Sequence, residues 1–299
     1  MLEAKSITVA FGDNKVLNNL SFTAKKGEIV GLVAPNGTGK TTLFNVMSNY
    51  LRPKSGEIVF DEKYKYESEK SEVYIHKHLI SFPEQKDLFD DLSGIEHLYL
   101  YADMWKGNRK QVKDVVEYLN MGHYVKNKVR TYSLGMRQRL SFAMMVAADT
   151  PVMIMDEVMN GLDITNVALI SKKLAEMKEE NKLIFVASHL LENLDLYADR
   201  VWYLKNGHFV HEQIYEEQQD AFIKVDISEE QYQFLKQKYE LPLEHHFIAK
   251  HKLCFPITGL DMKEQTKWIE RFLEISNHEL EVGPLGTMEF YERYYLEDE

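Results

Sequence analysis

Short apolar runs alternate with helical stretches along the first two hundred residues. Residues 2–9 alternate like an edge strand, and a turn at Gly12-Asp-Asn leads into a second strand over 16–23. Residues 28–33, Glu-Ile-Val-Gly-Leu-Val, form a continuous apolar strand that runs into a helix beginning at Lys40 and ending near Tyr50. Pro53-Lys-Ser-Gly56 reads as a turn before a strand at 57–60, and 79–82 is a further short strand ended by Pro83. The polar stretch 61–78 has no periodicity that assigns it. From Gly94 to about Leu119 apolar residues fall at 95, 98, 99, 102, 105, 112, 115, 116 and 119, a helical spacing broken at Gly107-Asn108. A helix follows Ser133 and runs to about Ala148. Buried-type strands at 152–155 and 183–187 flank a helix at about 165–180, and strands at 200–204 and 208–212 surround the hairpin turn Asn206-Gly207. Continuous apolar strands alternating with helices predict a layered α/β domain with a parallel sheet. The all-helical block within about 90–150 interrupts it as a separate lobe.

After about residue 213 the order changes. Strand 221–227, helix 229–239, strands 245–249 and 252–257, helix 262–276 and strand 279–283 follow one another, with a terminal helix at 287–296. That is the β-α-β-β-α-β order of a ferredoxin-like unit. The expected organisation is therefore a first domain over 1–213 and a small α+β domain over 214–299.

The 299 residues carry 36 Lys and Arg against 47 Asp and Glu, a net charge of −11. Nucleic-acid affinity rests on clustered basic residues, so this balance argues against a nucleic-acid partner. No apolar run is long enough to span a bilayer, and the N-terminal Met-Leu-Glu-Ala-Lys-Ser lacks the apolar core of a signal peptide. The lone Cys254 cannot form an internal disulfide and fits a reducing compartment. A cytoplasmic protein is expected. His245, His246 and His251 lack the matching Cys or carboxylate spacing of a metal site.

The most specific segment is Gly31 to Leu43, GLVAPNGTGKTTL. Gly37 and Gly39 allow a tight backbone turn whose N–H groups converge on one concavity suited to phosphate oxygens. The helix beyond adds unpaired N–H donors and a partial positive charge. Lys40 reaches β- and γ-phosphates and the Thr41 hydroxyl ligates Mg²⁺ in such loops. The phosphate-loop pattern opens with Gly, whereas this chain has Ala34.

Four further segments carry candidate chemistry. VMIMDE, 152–157, is an apolar strand ending in two acids. Asp156 is placed to hold Mg²⁺ and Glu157 to polarise an attacking water; alone, the pattern is also that of a strand meeting solvent. In YSLGMRQRL, 132–140, Ser133 is an N-cap and Gly135 permits close approach, which presents a helix N-terminus to an anion; alone, this is an ordinary capped helix. Ser188-His189 follows an apolar strand, where a histidine can hydrogen-bond a γ-phosphate or serve structurally. Phe82-Pro-Glu-Gln85 follows another strand and reads equally as a surface turn.

In this order and spacing, the segments resemble the ATP-binding subunits of ABC transporters over about residues 2–213. The resemblance implies a P-loop NTPase domain of the ABC type with an inserted helical lobe. Residues 34–42 match Walker A, so Asn36, Gly37, Thr38, Gly39, Lys40, Thr41 and Thr42 would contact ATP, and Phe11 would stack on adenine. Asp156 with Thr41 would hold Mg²⁺. Glu157, His189 and Lys40 would form the catalytic set. Ser133 and Gly135 lie in the signature segment, and Asp163 ends the D-loop Asn160-Gly-Leu-Asp163. Glu84 falls at the expected Q-loop position and Gln85 one residue later, so both stay open. Val158-Met159 replaces the usual Pro-Thr.

The signature variant is similar to that of bacterial drug and bacitracin exporters. The resemblance therefore implies an ATPase subunit powering separate membrane permease subunits, peripheral on the inner membrane face. It would work as a homo- or heterodimer with each ATP between Walker A of one subunit and the signature of the other. Aromatic-rich 98–105 would receive a permease helix. Two alternatives are a regulatory nucleotide sensor with little turnover and a ribosome- or DNA-associated ABC-type ATPase. The C-terminal unit could bind a small ligand, dimerise or brake the ATPase.

Overall fold

The computed structural model describes residues 1–105, 107–215, 219–276 and 279–296. It divides into two compact units, Met1–Gln213 and Ile214–Glu299.

In the first unit, the antiparallel sheet has the order β2-β1-β4-β5, from β1 (Leu2–Phe11), β2 (Asn14–Ala24), β3 (Glu28–Val33, in the second sheet), α1 (Lys40–Met47), β4 (Ser55–Phe60) and β5 (Tyr64–Lys65). The alternation in β1 suggests an edge strand, yet β1 is interior, paired with β2 on one side and β4 on the other. Leu2, Ala4, Ile7 and Val9 are buried in the core shared with α1, so one face of the strand is apolar although both of its edges are bonded. Alternation reports which face is covered and says nothing of the edges. The unassigned stretch 61–78 contains β5 and α2 (Glu69–His78), a helix that Ser68 caps by accepting from the Ser71 N–H. Only Ile75 of α2 is buried, which is why no apolar stripe announces it.

The chain continues through β6 (Leu79–Ser81), α3 (Gly94–Met104), α4 (Gln111–Tyr118), α5 (Leu134–Ala148), β7 (Val152–Asp156), α6 (Ile164–Glu179), β8 (Leu183–Ala187), α7 (Leu191–Leu194), β9 (Arg200–Lys205) and β10 (His208–Ile214). The second sheet has the order β10-β9-β3-β8-β7-β6, and β9, β3, β8, β7 and β6 run parallel. Asn206 and Gly207 both take positive φ, 52° and 79°, in the β9–β10 hairpin, as a two-residue primed turn requires. Val152–Met155 and Leu183–Ala187 are completely buried, as expected for strands covered on both faces. α3 and α4 pack on α5. From Leu140 to Ala148 every residue of α5 is buried.

The second unit comprises β11 (Phe222–Asp226), α8 (Glu229–Lys238), β12 (His246–Ile248), β13 (Lys252–Pro256), α9 (Met262–Ile275), β14 (Glu281–Gly283) and α10 (Thr287–Tyr295). Its sheet order is β12-β13-β11-β14 with every pairing antiparallel. This is the arrangement that the β-α-β-β-α-β order specifies. One core gathers Ile223, Val225, Leu253, Phe255 and Phe272. Phe222, Ile248 and Cys254, which alternate with those residues along the strands, form a second cluster with Leu285. Among the described residues no group of three or more His, Cys, Asp or Glu is placed to hold a metal ion. His245 pairs with the Tyr232 hydroxyl at 2.9 Å.

Candidate functional site

The parallel sheet delivers the candidate chemistry at one edge. β3, β8, β7 and β6 are successive neighbours. Their carboxyl ends lead into the 34–40 loop, Ser188-His189, Asp156-Glu157 and Phe82–Gln85 respectively. In open α/β sheets, ligands bind beyond the carboxyl ends of the strands.

Gly37 and Gly39 take φ of +77° and +117° in the loop. A Cβ on Gly39 would sit 2.9 Å from a Val16 methyl, whereas one on Gly37 would meet nothing within 4 Å. Gly39 is therefore fixed by packing and backbone together, and Gly37 by backbone alone. Ala34 is 4% exposed and belongs to the core. It is not among the positive-φ residues, so a methyl group is accommodated where the loop pattern has glycine. The Lys40 ammonium donates to the carbonyls of Ala34 (2.6 Å) and Pro35 (3.3 Å). Thr38 Oγ1 donates to the Pro35 carbonyl at 2.7 Å. Burial lowers the Lys40 pKa, opposed by the negative charges of Glu157 and Asp156.

The Thr41 hydroxyl donates to Asp156 Oδ2 at 2.7 Å. These residues lie 115 positions apart in sequence, and together they present hard oxygen donors of the kind that bind Mg²⁺ alongside substrate phosphates. The residues present fit that ion.

Glu157 follows the last residue of β7 and extends its ladder, its N–H bonding the Ala187 carbonyl at 2.9 Å. Its φ is +54°, a conformation that costs a non-glycine residue about 1–3 kcal/mol and concentrates at functional sites. The twist aims the carboxylate at the end of β8. There, Oε2 accepts from the His189 N–H at 3.3 Å, and Oε1 lies 2.9 Å from His189 Nε2. Oε1 is fully buried and lacks a well-aligned hydrogen-bond donor. Desolvation raises the Glu157 pKa to about 7, aided by Asp156 and opposed by the His189 N–H and Lys40. Desolvation also lowers the His189 pKa, with Lys40 adding to the effect, so the imidazole is held neutral. A partly protonated carboxyl beside a neutral imidazole and a cation is equipped for proton transfer.

Of the two Q-loop residues, Glu84 points outward and pairs with Lys86 at 2.8 Å. Gln85 turns inward, donating to Gln138 Oε1 at 3.2 Å. Gln138, 4% exposed on α5, donates in turn to the carbonyls of Glu157 (2.8 Å) and Val158 (2.9 Å). Sequence reading passes over Gln138, which stands between Arg137 and Arg139 in the polar first half of α5 and gives no local signal.

Other predicted site residues lie outside this cluster. Ser133 caps α5, accepting from the Met136 N–H at 3.3 Å. Gly135 leaves ordinary contact room, the nearest atom to a Cβ being the Gly161 carbonyl at 3.4 Å. Asp163 caps α6, accepting from the Asn166 N–H and side chain at 2.8 and 2.9 Å. Phe11, at the end of β1, is 56% exposed. A single chain therefore assembles the 34–42 loop, Asp156, Glu157, His189 and Gln85, and among the described residues leaves Ser133, Gly135, Asp163 and Phe11 without a hydrogen bond to that loop.

Comparison with known proteins identifies the assembly. Residues 17–160 match the ABC transporter family. The chain is 34% identical over 212 residues to the uncharacterised ABC transporter ATP-binding protein YhcH of Bacillus subtilis, covering 70% of this chain and 68% of that protein. It is 32% identical to the bacitracin transport ATP-binding protein BcrA of Enterococcus faecalis, over 71% of this chain and 68% of that protein. With the lantibiotic transport ATP-binding protein SrtF of Streptococcus pyogenes it shares 26% identity, over 72% and 92% respectively. In fold, it matches CbiO1 of Clostridium perfringens, part of an ABC transporter complex, with a TM-score of 0.62 at 26% identity, over 71% of this chain and 88% of that one. A dimeric ATP-binding cassette in a post-hydrolysis state with ADP and Pi matches with a TM-score of 0.64 at 22% identity, over 73% of this chain and all of that one. The chain belongs to the ABC transporter ATP-binding proteins, the subunits that bind and hydrolyse ATP.

Proposed function

We propose that this chain powers a bacterial-type exporter whose membrane path lies on separate permease subunits. The 32% identity to a bacitracin transport ATP-binding protein and the likeness to a lantibiotic one support export. Among the described residues no helix is long and apolar enough to cross a membrane, which agrees with a partner that supplies the path and with a peripheral site on the inner face.

The loop N–H groups and Lys40 bind the β- and γ-phosphates. Thr41 and Asp156 hold Mg²⁺, which neutralises phosphate charge when bound. Glu157 orients the attacking water and accepts its proton, and His189, neutral, sits against Glu157 at the γ-phosphate side. Two chains pack head to tail, so that Ser133 and Gly135 of one close over the ATP held by the other. Domain 214–299 is an accessory unit.

The observation that carries this reading is Glu157, strained, desolvated and paired to His189 beside the Thr41–Asp156 pair. Glu157→Gln should abolish hydrolysis and accumulate an ATP-bound dimer, seen by size-exclusion chromatography. Near-zero turnover in both proteins would support a nucleotide sensor instead. Purification from native membranes should bring a permease with the chain, and repeated isolation without one would sink the exporter assignment.

A further inference from the structure

Gln138 is a buried polar group, 4% exposed, to which the hydrolytic reaction gives no role of its own. It lies five residues beyond Ser133 on α5, in a helix buried from Leu140 to its end. Its amide makes three hydrogen bonds. It donates twice, to the consecutive carbonyls of Glu157 and Val158 at 2.8 and 2.9 Å, and accepts once, from Gln85 Nε2 at 3.2 Å. Carbonyl oxygens only accept, so Nε2 must face the Glu157–Val158 peptides and Oε1 must face Gln85. The orientation is thus dictated by its partners. Glu157 itself sits at φ +54°, a conformation that persists only when its surroundings over-determine it. The Ala187 carbonyl holds the Glu157 N–H, and Gln138 holds its C=O. The Asn160 N–H also donates to that carbonyl, at 3.2 Å, so Gln138 supplies one of three bonds that clamp the backbone of this strained residue, the shorter of the two on its C=O and the one made by a side chain.

We propose that Gln138 is a positioning residue for hydrolysis. It locks the peptide that aims the Glu157 carboxylate and ties that peptide to Gln85, so that movement of the Q-loop reaches the hydrolytic carboxylate through one side chain. The helix that carries it begins at the signature Ser133. Displacement of α5 therefore acts on Glu157 of the same chain as well as on the ATP that Ser133 faces. This inference rests on the reading of Glu157 as the group that orients water.

The test is steady-state ATPase kinetics of the full-length chain with Gln138→Leu, Gln85→Leu, the double variant and Glu157→Gln. Binding of a fluorescent ATP analogue and the melting temperature are measured alongside. Gln138→Leu is expected to lower kcat at least tenfold while KM, analogue affinity and the number of binding sites per chain stay within twofold. Each Leu variant should lower kcat, and the double variant should be no slower than the slower single one, because both break the same relay. The coupling is overturned if kcat stays within twofold of wild type, if the two losses multiply, or if kcat falls only in proportion to lost binding sites. Should Gln138→Leu not fold, Gln138→Met, of similar length and lacking the amide, is judged by the same outcomes. If Glu157→Gln keeps wild-type turnover, the assignment of Glu157 fails. If Glu157→Gln is inactive and the Gln138 variants are not impaired, only the coupling fails.

Discussion

Thr41 Oγ1 donates to Asp156 Oδ2 across 2.7 Å, joining the first turn of α1 to the end of β7. In most surroundings a hydroxyl on a carboxylate is a modest surface contact. Here it sits next to the loop that ends in Lys40 and to the half-buried Glu157, so in the function proposed above it marks where a divalent cation and the γ-phosphate would meet the protein. Thr41→Val removes one oxygen and keeps the shape. It should lower Mg²⁺-dependent turnover by roughly 100-fold, about 2.7 kcal/mol of barrier, while the melting temperature of the apoprotein stays within a few degrees. A Mg²⁺ titration of ATPase rate in wild type and variant checks this; unchanged Mg²⁺ dependence would remove Thr41 from the metal site.

Glu157 carries a pH signature with a defined sign. Its folded-state pKa is raised to about 7 from an ordinary 4.5, chiefly by burial. A raised pKa means that the protonated form suits the fold, so stability is complete below the unfolded value and is lost as pH climbs through about 7. Removing the charge with Glu157→Gln should therefore stabilise the apoprotein at pH 8 by on the order of 1–3 kcal/mol, at about 1.4 kcal/mol per pKa unit, and by much less at pH 5. Melting curves at both values test it. In wild type, kcat/KM should rise with pH through about 7 as the base ionises.

Gly135→Ala separates what one chain needs from what a second chain needs. The nearest atom to the added methyl is 3.4 Å away, so the fold accepts it, with a melting temperature within about 2 °C because nothing in the core is displaced. Activity should nonetheless fall at least tenfold if the signature face closes on ATP held by another subunit, since there backbone must approach phosphate. Wild-type turnover in this variant would count against the composite site.

In the C-terminal unit, Lys224 is buried on the sheet and paired with Glu289 at 3.2 Å. Glu289 also accepts from the Gly286 N–H at 2.8 Å at the start of α10. Replacing Lys224 takes from the buried Glu289 its nearer cation and leaves it Lys252 at 3.7 Å. Lys224→Met should therefore cost less than the roughly 3–5 kcal/mol of a fully stranded buried charge, about 1–3 kcal/mol, and Lys224→Met with Glu289→Leu should recover part of it. Denaturant unfolding followed by the tryptophan of this unit, Trp268, reads the difference.

Cys254 is fully buried, and desolvation above all pushes its thiol up to about 12. The thiolate is the reactive species, so a disulfide-exchange reagent should label the native protein over hours and the unfolded protein within minutes. Rapid labelling of the native chain would show that the face of the sheet around Cys254 opens readily.

The chain order of elements was legible residue by residue because its signals are short-range. Continuous apolar runs marked the buried strands, Ser133 and Asp163 stand at helix N-caps, and Asn206-Gly207 forced a hairpin. Such signals depend on neighbours within a few positions, and they survive without any knowledge of the fold. α2 escaped because a helix with one buried residue, Ile75, leaves no stripe. The resemblance of the first domain came from motifs whose order lies on the page as plain text.

What the sequence by itself determined is therefore most of the elements, β5, α2 and α7 excepted, the loop conformation that Gly37 and Gly39 permit, and the family. Tertiary structure alone decided which strands are neighbours. The order β3-β8-β7-β6 places Lys40, His189, Glu157 and Gln85 on one edge, although they are scattered over 150 positions of chain. It also decided that β1 is interior, that Gln85 rather than Glu84 turns inward, that Ala34 fits, and that Gln138 has a partner on both sides. The physical reason is common to all of these. Strand pairing, burial and the desolvation that shifts the Glu157 pKa are set by atoms distant in sequence, and no local pattern encodes them.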